Sequence, residues 1–135
     1  GAWVPGTALD TPLSVAGLRP HGATPGAGIV HLLDVTACPL DVAARVTSYL
    51  ASQSARQCGP CLNGLPHLAD TMHRLATPGG GPDLLPRLER LQALVNGRGA
   101  CKHPDGTVRF VASTLRVFGT HVDRHLRGDC GKERR

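Results

Sequence analysis

Between two stretches of helical periodicity the chain places two thiols, in the run Ser54-Ala55-Arg56-Gln57-Cys58-Gly59-Pro60-Cys61-Leu62-Asn63-Gly64. A Cys-x-x-Cys pair at the start of a helix either cycles as a dithiol or holds a soft metal centre, and each use demands its own scaffold. The dithiol needs a strand before it and a helix after it. The metal centre needs further donors brought to the same place by the fold. Residues 39–53, ahead of the pair, carry helical and not strand periodicity, and no βαβ pattern surrounds it, which argues against a thioredoxin-like fold.

The rest of the chain supplies the helices. Pro39 and Asp41 suit a first turn, and Val42, Val46, Tyr49 and Leu50 fall on one face of a helix over 39–53. A second helix starts at Pro60 or Cys61, with Leu62, Leu65, Leu68, Ala69, Met72 and Leu75 as its stripe, and stops at the Pro/Gly run 77–82. Asp83 is placed to cap a third, carrying Leu84, Leu88, Leu91 and Val95, with Gly97 as its left-handed terminator. A fourth, over about 105–127, carries Val108, Val111, Leu115, Phe118, Val122 and Leu126. Short links favour antiparallel neighbours, so the expected architecture is α+β, mainly α: an up-down four-helix bundle in 37–135 behind a small β segment in 1–36. The strongest strand pattern in that segment is Ile29-Val30-His31-Leu32-Leu33, and Trp3 is expected as a core anchor.

Composition narrows the function. The net charge of +5 is scattered apart from a basic tail (Arg124, Arg127, Lys132, Arg134, Arg135), and one Trp, one Tyr and two Phe leave little for base stacking, so no nucleic-acid partner is expected. No apolar run is long enough for direct membrane insertion and no signal peptide is visible, which points to a cytoplasmic location. The chain starts at Gly1 and its single Met is Met72, the expectation being a fragment of a longer subunit. Five cysteines are too few and too dispersed for a secreted disulfide framework.

In an up-down bundle the first and third connections share one end. Cys58 and Cys61 lie in the first, and Cys101 and His103 lie in the third, so three thiols and an imidazole converge. Cys38 and Cys130 fall at the opposite end, a helix of about 22 residues (roughly 30 Å) away, and read as a buried and a tail thiol.

Ile29 to Asp34, Cys38, Ala43 to Arg45, the Ser54-to-Gly64 stretch and Gly97-Arg98-Gly99-Ala100-Cys101 together resemble the C-terminal region of the NADH-binding flavoprotein subunit of respiratory complex I and its relatives in NAD-linked hydrogenases and formate dehydrogenases. The resemblance runs from about residue 3 to 127. It implies a soluble-ligand-binding β-grasp module followed by a four-helix iron-sulfur domain. The family motif reads Ser-Cys-Gly-x-Cys-x-Pro-Cys-Arg-x-Gly, with a further Cys in the loop after the third helix. Matched onto it, Cys58, Cys61 and Cys101 take three cluster-ligand positions, and Pro60 and Gly64 agree. Ala55 stands where the first ligand cysteine belongs, and Leu62 replaces the Arg.

The implied function is an electron-transfer module of an NADH:quinone-oxidoreductase-like subunit, without a complete active site of its own. It would bind a 4Fe-4S or 3Fe-4S cluster through Cys58, Cys61 and Cys101, with His103 as fourth ligand. FMN and NADH belong to an upstream domain absent from this sequence. The implied partners are other subunits or domains of a redox complex, iron-sulfur proteins among them, peripheral to a membrane. The alternatives are a structural Cys3His zinc site on the same four residues, or a metal-free docking scaffold.

Overall fold

A computed structural model describes residues 1–132, so Arg134 and Arg135 of the expected basic tail lie outside the described residues. The elements in it are helical: α1 (Val15–Leu18), α2 (Pro39–Ser52), α3 (Leu65–Ala76), α4 (Leu84–Val95), α5 (His103–Val117) and α6 (Gly119–Leu126), with short 3-10 turns at Gly6–Ala8 and Arg19–His21.

Helix α2 packs on α3, α3 on α4, α4 on α5, and α5 back on α2, which closes a ring of neighbours. Their directions alternate. The backbone N–H of Ala100, in the link after α4, reaches the thiol of Cys58 in the link after α2. At the other end, the Nε2 of His125 on α6 lies 3.5 Å from the Sγ of Cys38, which precedes α2, while its Nδ1 bonds the carbonyl of Leu75 near the end of α3. The seam holds Leu40, Leu65, Leu68, Met72, Leu75, Leu84 and Leu88, all fully buried. Each such side chain contributes about 1.5–3 kcal/mol of burial.

Three details of the helices depart from the periodicity. In α2 the buried face is Leu40, Ala43, Ala44 and Thr47; Val42, Val46 and Leu50 are half-buried, and Tyr49 is exposed. Small side chains win the seam because they let α3 approach closely. The second helix opens with a π turn at Pro60–Gly64, closed by the Leu65 N–H on the Pro60 carbonyl. The extra residue of such a turn rotates the stripe, which leaves Leu62 exposed. The expected fourth helix begins earlier, at His103, and breaks at Phe118 into α5 and α6. Ser113 and Thr114 both donate to the Phe110 carbonyl one turn earlier, a pattern that bends helices, and Gly119 follows as a poor helix former. At the start of α4, Asp83 accepts no capping hydrogen bond. Gly97 is left-handed as expected, with φ 72°.

The β-grasp-like segment expected over 1–36 is absent: no strand element occurs among the described residues. Ile29, Val30 and Leu32 are exposed in irregular chain. A strand needs a ladder partner, and the first 36 residues hold turns and single helical turns in the places where partners would have to be. The segment is nonetheless tied to the bundle. The Trp3 ring packs edge-on to Phe118 at 5.3 Å and near Phe110 at 5.9 Å, its backbone N–H donates to Ser113 Oγ, and Arg116 donates to the His21 carbonyl. Trp3 is therefore an anchor of this segment, as expected. No described helix is long and apolar enough to cross a membrane.

Candidate metal centre

The link from α2 to α3 carries Cys58 and Cys61 into position through an unusual backbone. Arg56 sits at φ 56°, a left-handed conformation that costs a residue with a Cβ roughly 1–2 kcal/mol. That turn delivers the Arg56 N–H to the thiol of Cys61. The π turn that follows sets Cys61 into the core, where it is 3% exposed, with Cys58 half-buried beside it. Gly64 completes the construction, because a Cβ there would run into Val95 of α4.

The link from α4 to α5 closes on this pair. Asp105, in the first turn of α5, accepts from the Gly97 N–H at 2.7 Å and from Lys102 Nζ at 3.1 Å, and so pins the loop that carries Cys101. Cys101 is exposed, near enough for its charge to act on Cys61. The thiols are tuned in opposite directions. The Ala100 N–H, followed by the Cys61 N–H, holds Cys58 below the ordinary thiol range. Burial first, then the neighbouring Cys58, pushes Cys61 up. A metal centre bound here would remove that conflict by taking both sulfurs as thiolates.

His103 is the first residue of α5 and is half-buried. Its Nε2 lies 2.8 Å from the Leu50 carbonyl, near the end of α2. A carbonyl only accepts, so Nε2 carries the proton and Nδ1 keeps a lone pair. Cys58, Cys61, Cys101 and His103 do not form a set of donors lying within 4.8 Å of one another. Ligands of one tetrahedral ion would stand about 3.3–3.8 Å apart. This spread disfavours the Cys3His zinc alternative. Thiolates on different irons of a cluster stand further apart.

The residues that periodicity left unconnected are at the other end. Cys38, His121, His125 and Cys130 each bring a donor atom within 4.8 Å of the other three. Cys38 and Cys130 are expected at this end as a buried and a tail thiol and not as ligands; the break at Phe118 turns α6 so that His121 and His125 meet them. The i, i+4 spacing of the two histidines was the available signal, but within one long helix it pointed nowhere in particular.

The NADH-ubiquinone oxidoreductase-F iron-sulfur binding region family matches residues 41–125. The chain belongs to this family. Among curated relatives, it is 27% identical over 120 residues to an NADH-quinone oxidoreductase subunit of Streptomyces coelicolor, a match covering 89% of this chain and 27% of that protein. It is 26% identical over 110 residues to the mitochondrial NADH dehydrogenase [ubiquinone] flavoprotein 1 of Dictyostelium discoideum, covering 82% and 23% respectively. Buchnera aphidicola subsp. Baizongia pistaciae has an NADH-quinone oxidoreductase subunit that is 25% identical over 126 residues, 86% of this chain and 28% of that protein. The chain thus spans about a quarter of the length of these relatives. The iron-sulfur group implied by the family fits the donor set at three positions, since three thiols and several backbone N–H groups aimed at sulfur converge there. Ala55 offers no fourth thiolate.

Proposed function

We propose that this domain is an electron-transfer module in which Cys58, Cys61 and Cys101 hold an iron-sulfur cluster and the Nδ1 of His103 takes the corner left by Ala55. The observation that carries the reading is the Ala100 N–H on the Cys58 thiol, which joins the two cysteine-bearing links at one end of the bundle. Bound there, the cluster would accept and pass on single electrons.

The chain's own residues do the rest. Backbone N–H groups of Ala100, Cys61 and Arg56 donate to the sulfurs and offset their negative charge, which raises the potential. The buried flank of Cys61 keeps water from one side. The hydrogen bond from His103 to Leu50 fixes the ring's tautomer and leaves Nδ1 as the ligating atom. By likeness to the subunits named above, the module works within a larger NADH-oxidising assembly; FMN, NADH and the partner subunits, iron-sulfur proteins among them, lie outside this chain. We place it in the cytoplasm, at the surface of a membrane complex.

The test is anaerobic cluster reconstitution of the wild type and of Cys101→Ser. The wild type should gain broad visible absorption with iron and sulfide bound, and Cys101→Ser should lose most of both. Equal iron in the two proteins would remove Cys101 from the site.

A further inference from the structure

We propose that Cys38, His121, His125 and Cys130 form a second, mononuclear metal site, of tetrahedral Cys2His2 type and suited to zinc, at the end of the bundle opposite Cys58, Cys61 and Cys101. Helix α2, of 14 residues, separates the two ends by about 20 Å.

The distances select a single ion. Cys38 Sγ lies 3.5 Å from His121 Nε2 and 3.5 Å from His125 Nε2, and Cys130 Sγ lies 3.7 Å from His121 Nε2. Bonds of about 2.3 Å to sulfur and 2.0–2.1 Å to nitrogen, at the tetrahedral angle, put such donors about 3.6 Å apart. A two-iron cluster with thiolates on one iron and imidazoles on the other would hold sulfur and nitrogen further apart than this. Two thiolates with two neutral imidazoles match a borderline-soft dication, and the net charge of the filled site is zero.

The surroundings are those of a built site. His125 is fully buried, and its Nδ1 lies 3.0 Å from the Leu75 carbonyl. That carbonyl can only accept, so the proton is on Nδ1 and the Nε2 lone pair faces Cys38. Cys38 is 3% exposed at the N-cap of α2; burial pushes its thiol up, and the N–H groups of Asp41 and Leu40 beside its sulfur pull the other way. Arg124 is engaged by Asp129 at 2.7 Å, and Lys132 donates to the Val35 carbonyl. Both cations thus have partners other than the thiols. Cys38 and Cys130 are free thiols, and zinc would displace one proton from each. The ion would fasten the start of α2 to α6 and the segment that follows it, Cys38 lying 83 and 87 residues before His121 and His125.

Zinc chloride titrated anaerobically into the chelator-stripped full chain tests this, with cobalt as spectroscopic probe. The wild type should bind one zinc that survives in Cys101→Ser, and cobalt should give the intense visible bands of a tetrahedral thiolate complex. Cys130→Ser and His121→Ala alter half-buried positions, so their folding can be verified by circular dichroism. Each should weaken zinc by roughly tenfold or more and lose the cobalt bands. The proposal is overturned if the wild type binds no zinc, if cobalt gives octahedral bands only, if binding depends on Cys101 instead of Cys130, or if the anaerobic protein carries a Cys38–Cys130 disulfide.

Discussion

The imidazole of His125 donates through Nδ1 to the carbonyl of Leu75 at 3.0 Å, while the backbone carbonyl of His125 accepts from the Gly79 N–H at 2.7 Å. This reciprocal pair caps the C-terminus of α3, where helical carbonyls lack partners. His125→Ala should therefore destabilise the metal-free protein by about 2–4 kcal/mol, through a cavity and an unpaired carbonyl. Chemical denaturation in the presence of chelator measures it. An unchanged midpoint would show that the cap adds nothing to stability without metal.

Gly64 and Val95 set the approach of α3 to α4. A methyl at Gly64 has no room beside the Val95 side chain, so Gly64→Ala should cost about 1–3 kcal/mol. The double variant Gly64→Ala/Val95→Ala should be less destabilised than the sum of the single changes. Strict additivity in the denaturation midpoints would mean that the two sites do not interact.

Asp105 ties the Cys101 loop to α5 through the Gly97 N–H. Asp105→Ala should cost roughly 1 kcal/mol, with faster amide exchange confined to 97–102. Exchange spread over the whole bundle would contradict a local role.

The existence and ends of the helices were legible because apolar residues recur at helical spacing and the stops are explicit, Pro78 and Gly97 among them, although the buried face of α2 was not. From those helices it followed that the links bearing Cys58 and Cys101 share one end of the bundle, where the Ala100 N–H reaches the Cys58 thiol. The first 36 residues were not legible in the same way: Ile29 to Leu33 has strand composition, but composition cannot supply a partner strand. The Cys38 group was legible only in part: Cys38 and Cys130 fall at one end of the bundle, but their meeting with His121 and His125 does not follow from periodicity. Its assembly depends on the break at Phe118, which comes from side-chain hydrogen bonds of Ser113 and Thr114 within an otherwise continuous helical pattern.

His103 carries the sharpest chemical consequence of Ala55. Exchanging a thiolate for a neutral imidazole makes a cluster less negative, so its reduction potential should exceed that of the His103→Cys variant. His103→Ala should change the paramagnetic spectrum of the reduced cluster. Identical potentials and spectra in all three proteins would exclude His103 as a ligand.

The end of the bundle bearing Cys58, Cys61 and Cys101 is the proposed seat of an iron-sulfur cluster. Iron and acid-labile sulfide counted per chain on oxygen-protected protein, with electron paramagnetic resonance of the reduced and oxidised states, test it most directly. Three to four irons with matching sulfide and a cluster signal are expected, on the order of one cluster per chain. Zinc alone, with neither sulfide nor a paramagnetic signal, would contradict it.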